Sequence, residues 1–525
     1  MTRRKAEPLF LSTAIPYVNA SPHIGFAFEA VVTDALARYH RARGRDVFFL
    51  TGTDDNSLKN VEAAENSGVA TEELVERNAE EFRRLEDSLD LSFDDFIRTS
   101  KDARHFAAVD AIWNACSARG DIYEAEYSGL YCVGCEQFYS EGDLVDGLCP
   151  EHLRPPERVS ERNWFFRLSR YQDALLDRIE SRELRILPDT RRAEIVSFIR
   201  GGLEDFSISR SSERSRGWGL AVPGDASQVI YVWFDALTNY ISALDFGSQG
   251  SLYAKYWVHN PDRIHVIGKG ILRFHAAYWP AMLLSAGLPL PTTILVHGYL
   301  LTEGRKISKS LGDSADPHDL SSRFGPDVLR YYLLSQFPPA NDGDFTVEQL
   351  RIVRDNDLAD QLGNLVSRVA AMIDRYCEGR VPSPPAGQRT GETAFSRIAG
   401  LLEDTDSHVD AFEIDRAVRR TWDVVREANR YVVAQAPWQL ARRSDDASRE
   451  KLSSVLYQLV EGIRVIAAFV SPYIPSKATE IAEQFSLGAD WTRLSQDTLR
   501  WGRTAPGTPV ASAPALFPKS REDVA

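Results

Sequence analysis

The chain has 525 residues, 43% of them apolar and 26% charged, with a formal net charge of −14. That length predicts about two to four domains with ample core, and the acidic balance excludes indiscriminate nucleic-acid binding while leaving room for a specific RNA on a local basic surface. No apolar run is long enough to span a bilayer, so no membrane association is expected.

The N-terminal Met1-Thr2-Arg3-Arg4-Lys5 is basic, but no signal-like apolar stretch follows it, and the chain reads as cytoplasmic. Leu9-Phe10-Leu11 predicts a short buried strand. The stretch Ala14 to Pro22 carries two prolines, Pro16 and Pro22, and cannot be regular. From His23 a helical period takes over through Ile24, Ala27, Phe28, Val31, Ala35, Leu36 and Tyr39, and Gly44 ends it. Val47-Phe48-Phe49-Leu50 is a second strand running into Thr51-Gly52-Thr53-Asp54. The result is a βαβ unit whose helix opens on His23 and Gly25. Free N–H groups, the positive end of the helix dipole and a Gly that lets a ligand close in make phosphate the natural guest. Taken alone, His-Ile-Gly is also the signature of a capping histidine beside a tightly packed glycine.

A polar helix passes through Glu62-Ala63-Ala64-Glu65, and another spans roughly Lys101 to Arg119. Next come Cys132-x-x-Cys135 and Cys149-x-x-His152, two pairs joined by thirteen residues. That spacing suits a closed tetrahedral Cys3His zinc site, structural because no coordination position stays open. Cys116 and Cys377 are isolated and read as ordinary buried thiols. The stretch Arg158 to Arg216 is mixed, with Trp164 to Leu168 a strand or a helix start. Val229 to Ala236 is nearly continuous in apolar residues and predicts a strand in the middle of a parallel sheet. Ile264 to Gly268 is a strand before a turn, a helix runs from Ile271 to about Ala286, and Ile294-Leu295-Val296 is a further strand.

After the turn at Glu303-Gly304 comes Lys306-Ile307-Ser308-Lys309-Ser310. Two lysines in a loop can reach a triphosphate and neutralise the charge that develops as it is cleaved; a solvated basic loop is the plainer alternative. Beyond it, helical spacing runs through Leu350 to Tyr376, Phe395 to Leu402, Phe412 to Val433 and Lys451 to Phe469, an antiparallel bundle. From Arg503 a Pro- and Ala-rich tail follows, with Leu516-Phe517-Pro518 able to dock.

The His23-Ile24-Gly25 helix start and the distant Lys306-Ile307-Ser308-Lys309-Ser310 loop, in this order, together resemble the signature pair of class I aminoacyl-tRNA synthetases. The flanking sequence, from about Leu9 to about Trp438, is similar to the methionyl-tRNA synthetase family. The resemblance implies an α/β fold: a Rossmann-like catalytic domain in two halves (1–118 and 226–300), a connective insertion with a zinc knuckle (119–225), a stem-contact region with the lysine loop (301–349), a helical anticodon-binding domain (350–502) and a tail (503–525). It implies ATP-dependent activation of methionine, or a similar amino acid, to an adenylate and its transfer to tRNA(Met), with Mg²⁺ on the triphosphate, structural Zn²⁺ and a monomeric chain.

Site residues follow from the same resemblance. His23, Lys306 and Lys309 are catalytic, and Gly25, Glu29, Lys269 and Ser308 bind ATP. Ala14, Ile15, Tyr17, Asp54, Trp233, Ala236, Tyr240, Ile271 and His275 surround the amino acid, where Asp54 takes the α-ammonium and the aromatic groups suit a soft sulfur. Asn364 and Arg368, one helical turn apart, and Trp438 read the anticodon by base edges and stacking. Cys132, Cys135, Cys149 and His152 hold the zinc. The chain departs from the family pattern on the nucleotide side, with Phe26 for His, Asn56 and Ser57 for His-Gly, and Gly270 for an Asp that holds ribose. Two alternatives stay open: a synthetase-like paralog that acylates a small amine or hydroxylamine, and a non-catalytic RNA-binding pseudo-synthetase.

Overall fold

The computed structural model describes residues 7–132, 137–139, 141–150, 153–248, 250–302, 305–306, 316–385 and 395–519. The chain divides into two compact units: Met1–Thr33, Asp46–Glu86 and Phe93–Gly298 form the first, and Asp34–Arg45, Asp87–Ser92 and Tyr299–Ala525 the second.

The first unit is built on a six-stranded parallel sheet. Its strands are β1 (Pro8–Ser12), β2 (Asp46–Thr53), β3 (Asp95–Arg98), β4 (Arg185–Leu187), β5 (Arg263–Gly268) and β6 (Thr293–His297), in the order β3-β2-β1-β5-β6-β4. The centre of β1 is sealed, with Leu9, Phe10 and Leu11 all fully buried, as expected of a strand covered on both faces. Gly52 in β2 marks a close approach, since a Cβ there would lie 2.1 Å from the Ile97 carbonyl oxygen of β3. The chain order reverses at β1, flanked by β2 and β5. That switch point opens a crevice at the strands' carboxyl ends. Helix α1 (Ile24–Ala42) follows β1 and starts on the same edge.

Two sequence expectations change in this unit. Val229 to Ala236 is not one sheet strand. The strand Asp225–Ile230 ends after pairing antiparallel with Ser209–Ser211 and Ala221–Val222, and Val232–Leu237 is a helix. A short apolar run fits a buried strand and a buried helix equally well, and only tertiary packing separates them. The edge strand β4 comes from within the stretch read as insertion; its three residues, Arg185-Ile186-Leu187, are too few to show a period. The remainder of that stretch contains an antiparallel sheet, whose main ladder pairs Ile122–Cys132 with Glu157–Phe166, and the helices Gln172–Glu180 and Asp189–Arg200.

The second unit is helical. Pro317–Phe324, Pro326–Gln336, Val347–Val353, Asn364–Cys377, Leu401–Asp410, Ile414–Gln435, Asp446–Val470 and Pro475–Gln484 are its longer α-helices. Phe395 to Leu402 is not the predicted helix: a 3-10 turn at Ser396–Ile398 leads to Gly400, whose φ of 72° precedes the true helix. Asp446–Val470 also corrects the bilayer reading, because by length and composition it could cross one (mean hydropathy 1.4), although 83% of that window is buried inside the protein. Glu461 and Arg464 interrupt its apolar run in sequence. In the fold, Glu461 is fully buried and its carboxylate accepts from Arg464 at 3.0 Å and from Thr504 N–H at 2.8 Å. Leu516 and Phe517 of the tail are buried.

Candidate active site

The crevice edge of the first unit gathers the loops that follow β1, β2 and β5. Asp54 N–H donates to the Pro16 carbonyl at 2.8 Å, and Tyr17 and Asp54 form a single parallel bridge. The proline-broken loop is thereby fastened to the end of β2. The Tyr17 ring meets Trp233 edge-on at 6.3 Å, with Lys59 Nζ 5.0 Å from its centroid. Trp233 stacks face to face on Phe274 at 3.8 Å and 4°. It lies 6.2 Å from the ring of His275.

Helix Val232–Leu237 carries Ala236, which is buried, and the following turn carries Tyr240. His275 sits in a π-helical turn, Phe274–Tyr278, a widening that often marks a functional position. Its Nδ1 is 2.9 Å from the Ile271 carbonyl, which can only accept, so Nδ1 carries the hydrogen. Its Nε2 therefore accepts the 2.7 Å hydrogen bond of the Tyr240 hydroxyl. Burial pushes the imidazole down to about 4. Burial likewise raises the Tyr240 phenol well above its ordinary value, with the fields of Glu29 and Asp54 adding to the shift. Two neutral polar groups inside an aromatic wall suit a side chain that carries no charge. Tyr17, Asp54, Trp233, Tyr240, Ile271 and His275 thus form one connected set.

On the phosphate side, His23 immediately precedes α1, and its Nδ1 accepts from Gly25 N–H at 3.0 Å. That leaves the hydrogen on Nε2, a donor. A Cβ on residue 25 would come within 2.9 Å of the His23 ring, so glycine is what permits this capping geometry. Phe26 packs edge-on against Phe82 at 5.1 Å. Glu29 is buried: one carboxylate oxygen accepts from Ala14 N–H at 2.8 Å, and the other lies 2.7 Å from His297 Nε2 at the end of β6. It ties the loop carrying Ala14 and Ile15 to the sheet edge. Lys269 stands in a 3-10 turn, Lys269–Ile271, directly after β5, with Gly270 beside it. Lys306 belongs to the second unit, where its backbone pairs with Leu301; Ser308 and Lys309 lie outside the described residues.

Sequence reasoning assigned no structural role to several residues at this edge. Asp235 is fully buried between His105 Nε2 at 2.6 Å and Asn56 Nδ2 at 2.7 Å. An aspartate inside an apolar run was the available signal. Asp55 accepts from Ser100 and Arg98, at 2.7 and 3.0 Å. Burial raises its carboxyl against the pull of Arg98. Ser57 caps helix Leu58–Ser67 through Lys59 N–H at 3.1 Å. His265, beneath Tyr240 with ring centroids 4.0 Å apart, is held well below its usual value by burial, aided by His275 and Arg263.

Of the proposed zinc ligands, Cys132 and Cys149 are buried in one small cluster with Tyr139, while Cys135 and His152 lie outside the described residues. In the second unit, Asn364 and Arg368 share one face of helix Asn364–Cys377, and the Arg368 guanidinium lies 5.7 Å from the Trp438 ring centroid.

Comparison with known proteins identifies the family. The family model of class I tRNA synthetases (M) matches residues 9–155 and 152–370, and that of the anticodon binding domain of methionyl tRNA ligase matches residues 381–525. A methionine–tRNA ligase of Brucella suis is 42% identical over 518 residues, covering 98% of both chains. One from Mycobacterium tuberculosis H37Rv is 40% identical over the same length. The crystal structure of a Mycobacterium tuberculosis methionyl-tRNA synthetase bound by methionyl-adenylate superposes with a TM-score of 0.90 at 40% identity, covering 98% of this chain and 100% of that one. The chain belongs to the methionyl-tRNA synthetase family of class I ligases, which join methionine to tRNA.

Proposed function

We propose that the crevice at β1, β2 and β5 holds methionine and ATP for adenylate formation. The α-ammonium pairs with Asp54, and the thioether enters the wall of Trp233, Ala236, Ile271, Tyr240 and His275, with Tyr17 closing over it. A methionine carboxylate oxygen attacks the α-phosphorus, the bond to the bridging oxygen breaks, and pyrophosphate leaves. His23 donates from Nε2–H to the charge that develops, and the positive end of α1 adds to it; one such donor is worth about 10²–10³ in rate. Lys306 and Lys309 complete this neutralisation, with Ser308 and Lys269 on the triphosphate. Mg²⁺ accompanies the triphosphate and shields its charge. Glu29 acts from below, by fixing Ala14 and His297.

The terminal adenosine of tRNA(Met) then takes the acyl group and AMP departs, while Asn364, Arg368 and Trp438 read the anticodon. A structural zinc would be held by Cys132, Cys135, Cys149 and His152; the buried thiols of Cys132 and Cys149 suit it, because a closed thiolate site excludes water. The protein acts as a cytoplasmic monomer.

The observation that carries this reading is the linked set Tyr17–Trp233–His275–Tyr240, uncharged aromatic groups with Asp54 bridged to Tyr17 beside them. The test is pyrophosphate–ATP exchange with each amino acid, with and without tRNA. Methionine should drive exchange more than tenfold better than leucine or valine, since a methylene-scale misfit is worth ~1–3 kcal/mol. Exchange driven best by a charged or very small amino acid would overturn it.

A further inference from the structure

We propose that Asn56 is a positioning residue for amino-acid recognition: through Asp235 it fixes the loop that bears Asp54 to the helix that bears Trp233 and Ala236. The two segments are 179 positions apart in the chain. One bound amino acid must nevertheless reach both, its ammonium at Asp54 and its side chain at Trp233. The separation of loop and helix is therefore an affinity-determining distance.

The bond is built to hold. Both amide hydrogens of Asn56 are engaged, one on Asp235 Oδ2 at 2.7 Å and one on the Thr99 carbonyl at 3.3 Å. Its own N–H donates to Asp54 Oδ1 at 3.2 Å, so the amide and the ammonium-binding carboxylate move together. Asp235 is fully buried, and its other oxygen is held by His105 Nε2 at 2.6 Å. His105, also fully buried, contacts Ser242 Oγ at 3.0 Å, and Ser242 donates to the Thr238 carbonyl. The Asp235 side chain is thus braced from behind by helix Ala103–Ala118 and from below by its own helical segment. A carboxylate acceptor in a low-dielectric setting makes this a strong, directional link. Neighbouring bonds secure the loop to other segments: Asn60 Nδ2 donates to the Asp55 carbonyl at 2.8 Å, and Trp218 Nε1 does so at the same distance. Asn56 is the side chain that reaches from the loop to the pocket wall.

This inference rests on Asp54 and Trp233 holding methionine, and its test separates the two claims. Pyrophosphate exchange by the full chain is measured for Asn56→Ala, Asn56→Asp, the exchanged pair Asn56→Asp with Asp235→Asn, and Asp54→Asn. Asn56→Ala should raise the methionine KM about tenfold while kcat, the ATP KM and Tm stay close to wild type, the pattern of lost ground-state positioning. Asn56→Asp sets two carboxylates face to face and should raise it further. The exchanged pair restores one donor and one acceptor and should return the methionine KM to within about threefold of wild type. A methionine KM unmoved by Asn56→Ala, or an exchanged pair as impaired as Asn56→Asp at wild-type Tm, overturns the proposal. So do parallel changes in kcat, both KM values and Tm, which would mean a merely structural role. Asn56→Ala alone decides if the like-charged variant does not fold. If Asp54→Asn raises the methionine KM while Asn56→Ala does not, the pocket stands and this inference falls; if neither does, both fall.

Discussion

The hydroxyl of Tyr240 donates to Nε2 of His275 at 2.7 Å, and the opposite nitrogen of that ring is engaged by the Ile271 carbonyl, so the imidazole is locked in its neutral form. Burial holds it at about 4, below its ordinary value near 6.5. In the unfolded chain the ring takes a proton as pH falls through 6.5, whereas in the fold it does not until about 4. This group's contribution is therefore complete above that upper value and lost progressively down to the lower one, on the order of 3 kcal/mol in all. Unfolding free energies measured at pH 7 and pH 4.5 should fall less in His275→Gln than in wild type. An equal fall in both would contradict the neutral ring.

Arg330 and Asp34 form a fully buried ion pair at 2.7 Å in the second unit, and the guanidinium also donates to the carbonyls of Leu89, Pro472 and Tyr473. Burial opposes the Asp34 charge, but Arg330, Arg38 and Ser92 outweigh it and keep the carboxyl below its usual range. Arg330→Met takes away one of the two guanidinium partners of that buried charge, leaving Arg38 at 2.7 Å, and should destabilise by roughly 3 kcal/mol. Adding Asp34→Leu should recover part of the loss. Denaturant unfolding followed by far-ultraviolet dichroism measures both, and no recovery in the double variant would sink the argument.

About one zinc per chain is expected, because a closed Cys3His site folds its own small module. Cys149→Ser should lower the zinc content of purified protein to near zero, since Cys149 is fully buried beside Cys132 and Tyr139. Elemental analysis finding undiminished zinc in that variant would remove Cys149 from the ligand set.

The Arg368 guanidinium lies 5.7 Å from the Trp438 ring centroid, and the proposed anticodon reading makes that ring the platform on which an unpaired base stacks. Trp438→Ala removes a contact worth ~1–3 kcal/mol. Charging of tRNA should drop by roughly 10–100-fold, and exchange without tRNA should be unchanged because adenylation does not involve this residue. Charging that survives intact would show that this helix pair does not read the anticodon.

Much of the fold was legible because it rests on local pattern. The strand at Leu9 to Leu11, the helix opened by His23 and Gly25, and the long amphipathic helices all follow from hydrophobic period and glycine position. Individual pocket residues such as Tyr17, Asp54, Trp233 and His275 came instead from family resemblance, since a lone aromatic or histidine has no period to betray it. Local pattern failed at Val232–Leu237 and at β4, where short segments take the conformation their neighbours impose.

The sequence by itself determined the family, the βαβ start, the Lys306-Ile307-Ser308-Lys309-Ser310 motif and the spacing of cysteine and histidine pairs, because these are fixed by residues close together in the chain. Only the tertiary structure decided that Glu29 braces Ala14 against His297, that His275 is neutral beneath Tyr240, and that Asn56 meets Asp235. Each of those depends on burial and on bonds between residues from 15 to 268 positions apart. No local pattern encodes such distances; the folded sheet creates them by bringing the carboxyl ends of its strands to one edge.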